Sequence, residues 1–327
     1  MKYIGFDAPG DPSVLRVLEA PAPLPGAGEI QIAVEAAGVS RADTLGRRGL
    51  YPPPPGHSPI LGLEVAGTIS ALGSGVEEWR VGERVCALCN GGGYAERVVV
   101  PAGCALPLPE NWSAVEGATL PENAFTAYDN LVNRAALEPG DTLLIHGGTS
   151  GLGTMAIGIA RALGARVFIT AGSDRKCAKG IQLGAHRAIN YKSTDFVASS
   201  LAYTNGRGVD IILDLVGGDY VARDLAALAT EGRIVVLSTL GGSEVRLDLA
   251  ALLRKRARVI GSSLRGRSNA EKAQIALDLQ QAIWPLLADR RPITPVVDSV
   301  FPFAQAQKAH ERLESSEHIG KIVLTPV

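Results

Sequence analysis

The segment that most constrains this chain is Thr142-Leu-Leu-Ile-His146-Gly-Gly-Thr-Ser-Gly-Leu-Gly153. An apolar strand runs into a glycine-rich turn, and Leu152, Met155, Ala156, Ile159, Ala160 and Leu163 then recur at helical spacing. Gly164 suits the position after the last helical turn. In the register Gly148-x-Ser150-x-x-Gly153 the turn follows the G-x-G-x-x-G fingerprint of dinucleotide sites, with Ser150 in place of the middle glycine and Gly151 beside it. Glycine there permits the tight turn, the approach of backbone to a pyrophosphate, and close helix–strand packing. The free N–H groups of the helix start favour an anion, so Gly148, Ser150, Gly151, Leu152 and Gly153 are the expected cofactor contacts. The uncharged run Thr142–Ala160 is long enough to span a membrane, but its five glycines and His146 make it a strand–turn–helix instead.

Further strands are expected at Arg166–Ala171, Ala188–Asn190, Val209–Val216, Arg233–Thr239 and Arg258–Leu264, with helical segments between most of them. That order gives an α/β fold, a doubly wound parallel sheet with helices on both faces. The second strand ends Thr170-Ala-Gly-Ser173, followed by Asp174, Arg175 and Lys176. An acidic residue there would hold a ribose 2′-hydroxyl, whereas nearby cations accommodate a 2′-phosphate. Gly172 leaves room, Ser173 offers a hydroxyl and Lys176 supplies charge, so NADPH is the expected cofactor. Against this, one residue of slip would bring Asp174 to the ribose, and Arg175 and Lys176 also read as solvated helix charges.

Before about Pro121 the texture differs. Glu29–Glu35, Gly62–Ala71, Glu83–Leu88 and Tyr94–Val100 read as strands of a small barrel or sandwich, separated by turns such as Gly73-Ser-Gly75 and Gly91-Gly-Gly93. Tyr51-Pro-Pro-Pro-Pro55 is an extended surface loop. From about Ser268 the tail holds one amphipathic helix, Ala270–Leu287, and a last strand, Lys321–Thr325. A length of 327 residues suits two domains.

Lysine and arginine total 32 against 33 acids, a net charge of -1 that argues against a polyanion-binding protein. The four cysteines make no disulfide framework, and the N-terminus carries no apolar leader core. The expectation is a cytoplasmic enzyme without a membrane segment. Cys86-x-x-Cys89 has no second ligand pair for a tetrahedral zinc and reads as core. His57, His146, His186, His310 and His318 show no ligand spacing. The basic run Arg254, Lys255, Arg256 and Arg258, with Arg265 and Arg267 beyond it, lacks interleaved aromatics and reads as a solvated helix end, not a nucleic-acid patch.

Ala42-Asp43, Gly49–Gly56, Leu61-Gly-Leu-Glu64, Leu120-Pro-Glu122, His146–Gly153, Gly172-Ser173 and Ile319–Leu324 together resemble the zinc-free, zeta-crystallin-like quinone oxidoreductases. These belong to the medium-chain dehydrogenase/reductase superfamily, and the closest likeness is to the tumour-suppressor-inducible branch. The resemblance implies a GroES-like, mainly β catalytic domain over residues 1–121, completed by 267–327, and a Rossmann NADPH-binding domain over 122–266. It aligns Ser40, Leu63 and about Glu122 with the ligands of zinc-dependent relatives, which implies no catalytic metal, and no four-cysteine zinc loop is present. Ser40 stands where many quinone oxidoreductases carry Asn.

By the same resemblance Ser40 and Thr126 lie near the nicotinamide and Tyr191 near the adenosine end. Leu240, Gly241, Ser263 and Leu264 line the cofactor cleft, and Tyr51 faces the substrate opening, with a loop anchor as its plain alternative. A two-fold dimer is expected through the edge strand Arg258–Leu264. The expected activity is hydride transfer from NADPH to quinones. The alternatives are an NADPH-dependent enone or alkenal reductase and a non-catalytic NADPH-binding protein, structural or RNA-binding.

Overall fold

The structure, a computed structural model, describes residues 1–288 and 293–326. The chain forms two compact units, one of residues 126–264 with 293–294, the other of residues 1–125, 265–288 and 295–326.

In the first unit six strands lie side by side in the order Arg187–Asn190, Arg166–Ala171, Thr142–Ile145, Val209–Asp214, Leu228–Val236 and Arg258–Gly261. Every neighbouring pair is parallel. Helices cover both faces of such a sheet, so its inner strands read as unbroken apolar runs. Leu143, Leu144, Ile145, Val167, Phe168, Ile169, Ile211, Ile212 and Leu213 are all fully buried. Chain order reverses at Thr142–Ile145, and open α/β sheets bind ligands outside the carboxyl ends of the strands at such a switch point.

Several strand boundaries differ from expectation. The third strand begins one residue early, at Arg187, the fourth stops at Asp214, short of Val216, and the fifth stops at Val236, short of Thr239. The fifth strand starts at Leu228, ahead of Arg233, because the chain crosses Glu231 at φ 63° and stays in the sheet through a register shift. The sixth stops at Gly261, so Ser263 and Leu264 lie beyond it. The basic run does close the helix Leu249–Lys255, but Lys255 is only partly solvated. Its Nζ donates to the carbonyls of Leu225 (2.8 Å) and Ala226 (2.9 Å), at the end of the helix Tyr220–Ala227. A cation there complements the negative helix terminus.

The second unit is built on a mainly antiparallel sheet. Its order is Val297–Pro302, Lys321–Thr325, Glu29–Val39, Glu64–Leu72, Arg84–Leu88 and Ala105–Pro107, with Arg97–Pro101 also paired to Glu29–Val39. Ile30, Ile32, Val65, Ile69, Val85, Val98, Val100, Ile322 and Leu324 form its core. A short hairpin, Lys2–Gly5 with Arg16–Glu19, was not anticipated. The expected helix Ala270–Leu287 is two helices, Asn269–Ala282 and Trp284–Leu287. Pro285 lacks the N–H that would continue the first and is accommodated in the first turn of the second. Among the described residues no helix is long and apolar enough to cross a membrane.

Candidate functional site

The glycine-rich turn packs directly on the second parallel strand. A Cβ on Gly148 would collide with the Ile169 side chain, and one on Gly153 would lie 2.5 Å from the Gly147 carbonyl oxygen. Ser150 caps the helix Gly151–Ala162, its hydroxyl oxygen accepting from the Gly153 amide at 3.0 Å. The leading amides of that helix, at Gly151 and Leu152, precede any intrahelical acceptor and suit an anion.

Beneath the turn lies a buried polar clamp that sequence reasoning missed. His146 Nε2 meets Asp224 Oδ1 at 2.7 Å, its Nδ1 meets Thr170 Oγ1 at 3.0 Å, and both His146 and Asp224 are fully buried. Thr170 Oγ1 in turn accepts from the Gly147 amide at 3.3 Å. Burial raises the Asp224 carboxyl pKa, and the neighbouring His146 opposes the shift. The only local signal was a histidine closing an otherwise apolar strand.

At the end of the second strand Tyr191 lies over Gly172, where a Cβ would stand 2.8 Å from its hydroxyl. Ser173 caps the helix Asp174–Gln182 by accepting from the Lys176 amide at 3.3 Å, so Lys176 sits in the first turn. The Asp174 carboxylate accepts from Asn190 Nδ2 at 2.8 Å, which gives that acid a partner within the protein. Leu240 is exposed, and the Gly241 amide donates to the Val216 carbonyl at 2.7 Å. Gly148 to Gly153, Gly172, Ser173, Lys176, Tyr191, Leu240, Gly241, Ser263 and Leu264 all follow the carboxyl ends of the parallel strands. Thr126 sits on the helix Pro121–Tyr128, its carbonyl accepting from Asn130 Nδ2 at 2.7 Å.

In the second unit Ser40 caps the helix Arg41–Arg47 in a capping box with Asp43. Buried Asp43 accepts from the Ser40 amide (2.8 Å), the Ser40 hydroxyl (2.9 Å) and the Gly62 amide (2.8 Å), while burial pushes its carboxyl pKa up. Nearby, buried Arg47 meets His310 Nδ1 at 3.2 Å and Glu314 at 2.7 Å, and the Tyr94 hydroxyl meets His310 Nε2 at 3.2 Å. Burial, reinforced by the Arg47 charge, lowers the His310 pKa to about 3, so this imidazole is neutral. Fully buried Glu64 pairs with Lys321, whose ammonium also lies 3.6 Å from Glu122. Gly38 makes room for this pair, because a Cβ there would strike the Glu64 carboxylate and the Ala118 carbonyl.

A zinc ion would find poor ligands at the aligned positions. Ser40 is committed to its cap, Leu63 is apolar, and Glu122 faces the Lys321 ammonium. Among the described residues no three of His, Cys, Asp and Glu gather to hold a metal. Cys86 and Cys89 are buried in the β unit, and burial, with Glu64 nearby, raises both thiol pKa values. Tyr51 is half-buried, its ring 4.5 Å from the Arg265 guanidinium and its carbonyl accepting from Arg265 Nη1 at 3.1 Å.

Fold and turn together define the class: a Rossmann-type parallel sheet with a glycine-rich turn at its switch point, carried with a GroES-like domain. Residues 26–110 match the alcohol dehydrogenase GroES-like domain family, and residues 151–281 match the family described as zinc-binding dehydrogenase. The chain is 32% identical to rat quinone oxidoreductase, over 96% of this chain and 94% of that one. It therefore belongs to the medium-chain dehydrogenase/reductase superfamily, among its quinone oxidoreductase-like members.

It is also 37% identical, over 64% of its length, to a phthioceranic/hydroxyphthioceranic acid synthase of Mycobacterium tuberculosis, and spans only 10% of that much longer protein. Among solved structures it resembles Escherichia coli quinone oxidoreductase complexed with NADPH, with a TM-score of 0.89, 31% identity and both chains covered completely. It also resembles the CurK enoyl reductase, with a TM-score of 0.86 and 27% identity over 99% of this chain and 98% of that one.

Proposed function

We propose that this chain is an NADPH-dependent, zinc-independent oxidoreductase that reduces quinones, of the branch that the tumour-suppressor-inducible quinone oxidoreductase represents. The observation that carries the reading is the glycine turn, closed to any Cβ at Gly148 and Gly153, combined with Ser173 and Lys176 in the next helix start. The turn would hold the pyrophosphate and Ser173 with Lys176 the 2′-phosphate, while Tyr191 would cover the adenosine end. NADPH, when bound, supplies a hydride. We assign substrate handling to 1–121 with 267–327, where Ser40 and Tyr51 reside, and cofactor binding to 122–266, with Thr126, Leu240, Gly241, Ser263 and Leu264 toward the nicotinamide cleft.

Reducing a quinone asks the protein chiefly for orientation and exclusion of water, since solvent can protonate the product. A second reading, reduction of an activated alkene such as an enone or enoyl thioester, is favoured by the likeness to CurK enoyl reductase. A second copy adding at the exposed edge strand Arg258–Gly261 would give a two-fold dimer, and sedimentation at twice the chain mass is then expected, a monomer being the contrary result.

Lys176→Ala tests the cofactor assignment. A hydrogen bond to a charged group is worth about 1.5–3 kcal/mol, so NADPH affinity should fall roughly tenfold or more, with NADH affinity almost unchanged. Equal weakening of both cofactors in a binding titration would show that the lysine does not read the 2′-phosphate. For the substrate side, Tyr51→Phe removes a hydroxyl that could orient a carbonyl. The expected result is a loss of about tenfold in kcat/KM for quinones at unchanged NADPH affinity. No change would leave Tyr51 a loop anchor under Arg265, whereas a loss beyond about 10²-fold would make it an essential acid.

A further inference from the structure

Two cations lie together, Arg265 against the Tyr51 ring and Lys272 beside Arg265, and among the described residues no carboxylate forms an ion pair with either. Lys272 is 2% exposed, and its ammonium bonds Asn90 Oδ1 at 2.8 Å and approaches the Arg265 carbonyl at 3.4 Å. It belongs to the first turns of the helix Asn269–Ala282, where the helix dipole disfavours a cation. The acid that acts on it, Glu271, is already engaged, its Oε2 accepting from both the amide and the hydroxyl of Ser268 at 2.8 Å.

The guanidinium of Arg265 lies over the Tyr51 ring, and its buried Nε has no acceptor among the described residues. Buried His57 Nδ1 is likewise without a partner. The loop carrying Tyr51 and His57 is tied to the same place, because the Ser58 amide donates to the Asn90 carbonyl at 3.0 Å while the Asn90 side chain holds Lys272. Burial lowers the Lys272 pKa, and it also lowers that of His57, with the charges of Lys272 and Arg265 adding to the effect there. A buried cation at the positive end of a helix, with a half-buried one beside it, is costly to assemble unless an anion joins them.

We propose that Lys272, Arg265 and His57 form a subsite for an anionic group, a phosphate or a carboxylate, carried by the substrate that Tyr51 meets. This rests on the reading of Tyr51 as a residue of the substrate opening. An oxyanion would accept charge-assisted hydrogen bonds from the ammonium and from Arg265 Nε, the strong class of such bonds. The reacting double bond or quinone ring would then be positioned through its tail.

The test is equilibrium binding to the whole protein saturated with NADP⁺, so that the cofactor's phosphate sites are filled. One pair of probes is but-2-enoyl-coenzyme A against the uncharged but-2-enoyl thioester of N-acetylcysteamine. The other is a benzoquinone with a propionate tail against its methyl ester. The anionic member of at least one pair should bind tenfold or more tighter, and the preference should fall below about threefold in Lys272→Gln. Preference in the first pair alone names phosphate, in the second alone carboxylate, and in both an oxyanion in general.

Arg265→Gln, at a half-buried position, should show the same fall and serves if Lys272→Gln does not fold. Parity in both pairs, or a preference that survives in a folded variant, overturns the proposal. Turnover of the neutral probes with NADPH is a separate readout. If they are reduced while binding shows parity, the oxidoreductase reading stands and the anion subsite does not.

Discussion

Lys321→Met should destabilise the β unit by about 3–5 kcal/mol, the usual cost of stripping one partner from a buried ion pair. In a body of this size that corresponds to a fall of roughly 10 °C in Tm. The reason is Glu64, which is fully buried and left facing the Glu122 carboxylate once the ammonium is gone. Burial raises the Glu64 pKa to about 7, the Lys321 charge opposes that rise, and Glu122 adds to it. Without Lys321 the pKa should climb further. Because the raised folded pKa means the folded state binds the proton more tightly than the unfolded chain, the defect should be smaller at pH 5.5 than at pH 8.5. Removing both charges, in Glu64→Gln with Lys321→Met, should recover much of the loss. Denaturant titrations that place Lys321→Met within 1 kcal/mol of the parent at pH 8.5 would contradict the account of this pair.

Gly153→Val should abolish useful NADPH binding. A side chain there meets only backbone, 2.5 Å to Gly147 O and 2.6 Å to Gly148 C, so the turn itself has to move. Losing two hydrogen bonds to a charged pyrophosphate, at about 1.5–3 kcal/mol each, weakens binding by 10²-fold or more. The milder Gly153→Ala should lie between the two, and the thermal midpoint shows whether each variant is folded. Parent-like NADPH affinity in a folded Gly153→Val would mean that the turn does not carry the pyrophosphate.

These two sites differ in how far they could be read from the chain. The turn is a local feature: strand, glycines and helix follow one another, and the strands Arg166–Ala171 and Lys321–Thr325 begin and end where their apolar runs do. The fold followed from such runs, and errors came where local chemistry was equivocal. Thr230-Glu231-Gly232 reads as a turn yet stays in the sheet, and Pro285 divides what spacing alone joins.

Glu64 and Lys321 are a different case. Each is a single charge in an apolar strand, and only the antiparallel packing of Glu64–Leu72 and Lys321–Thr325 on either side of Glu29–Val39 brings them together. The same holds for His146 with Asp224, and for Lys272 with Asn90 and the Tyr51–Ser58 loop. A charge in an apolar strand or on a helix, or a histidine closing an apolar strand, was the available signal, and it names no partner.

The proposed activity is hydride delivery from NADPH to a conjugated carbonyl without zinc. It is tested most directly by following NADPH oxidation by chelator-treated protein across a panel of quinones and enones, with metal content measured on the same sample. Steady oxidation with quinones is expected, at an unchanged rate after chelation and with far less than one zinc per chain. NADPH that binds but is oxidised by neither class, or activity that returns only with stoichiometric zinc, would contradict it.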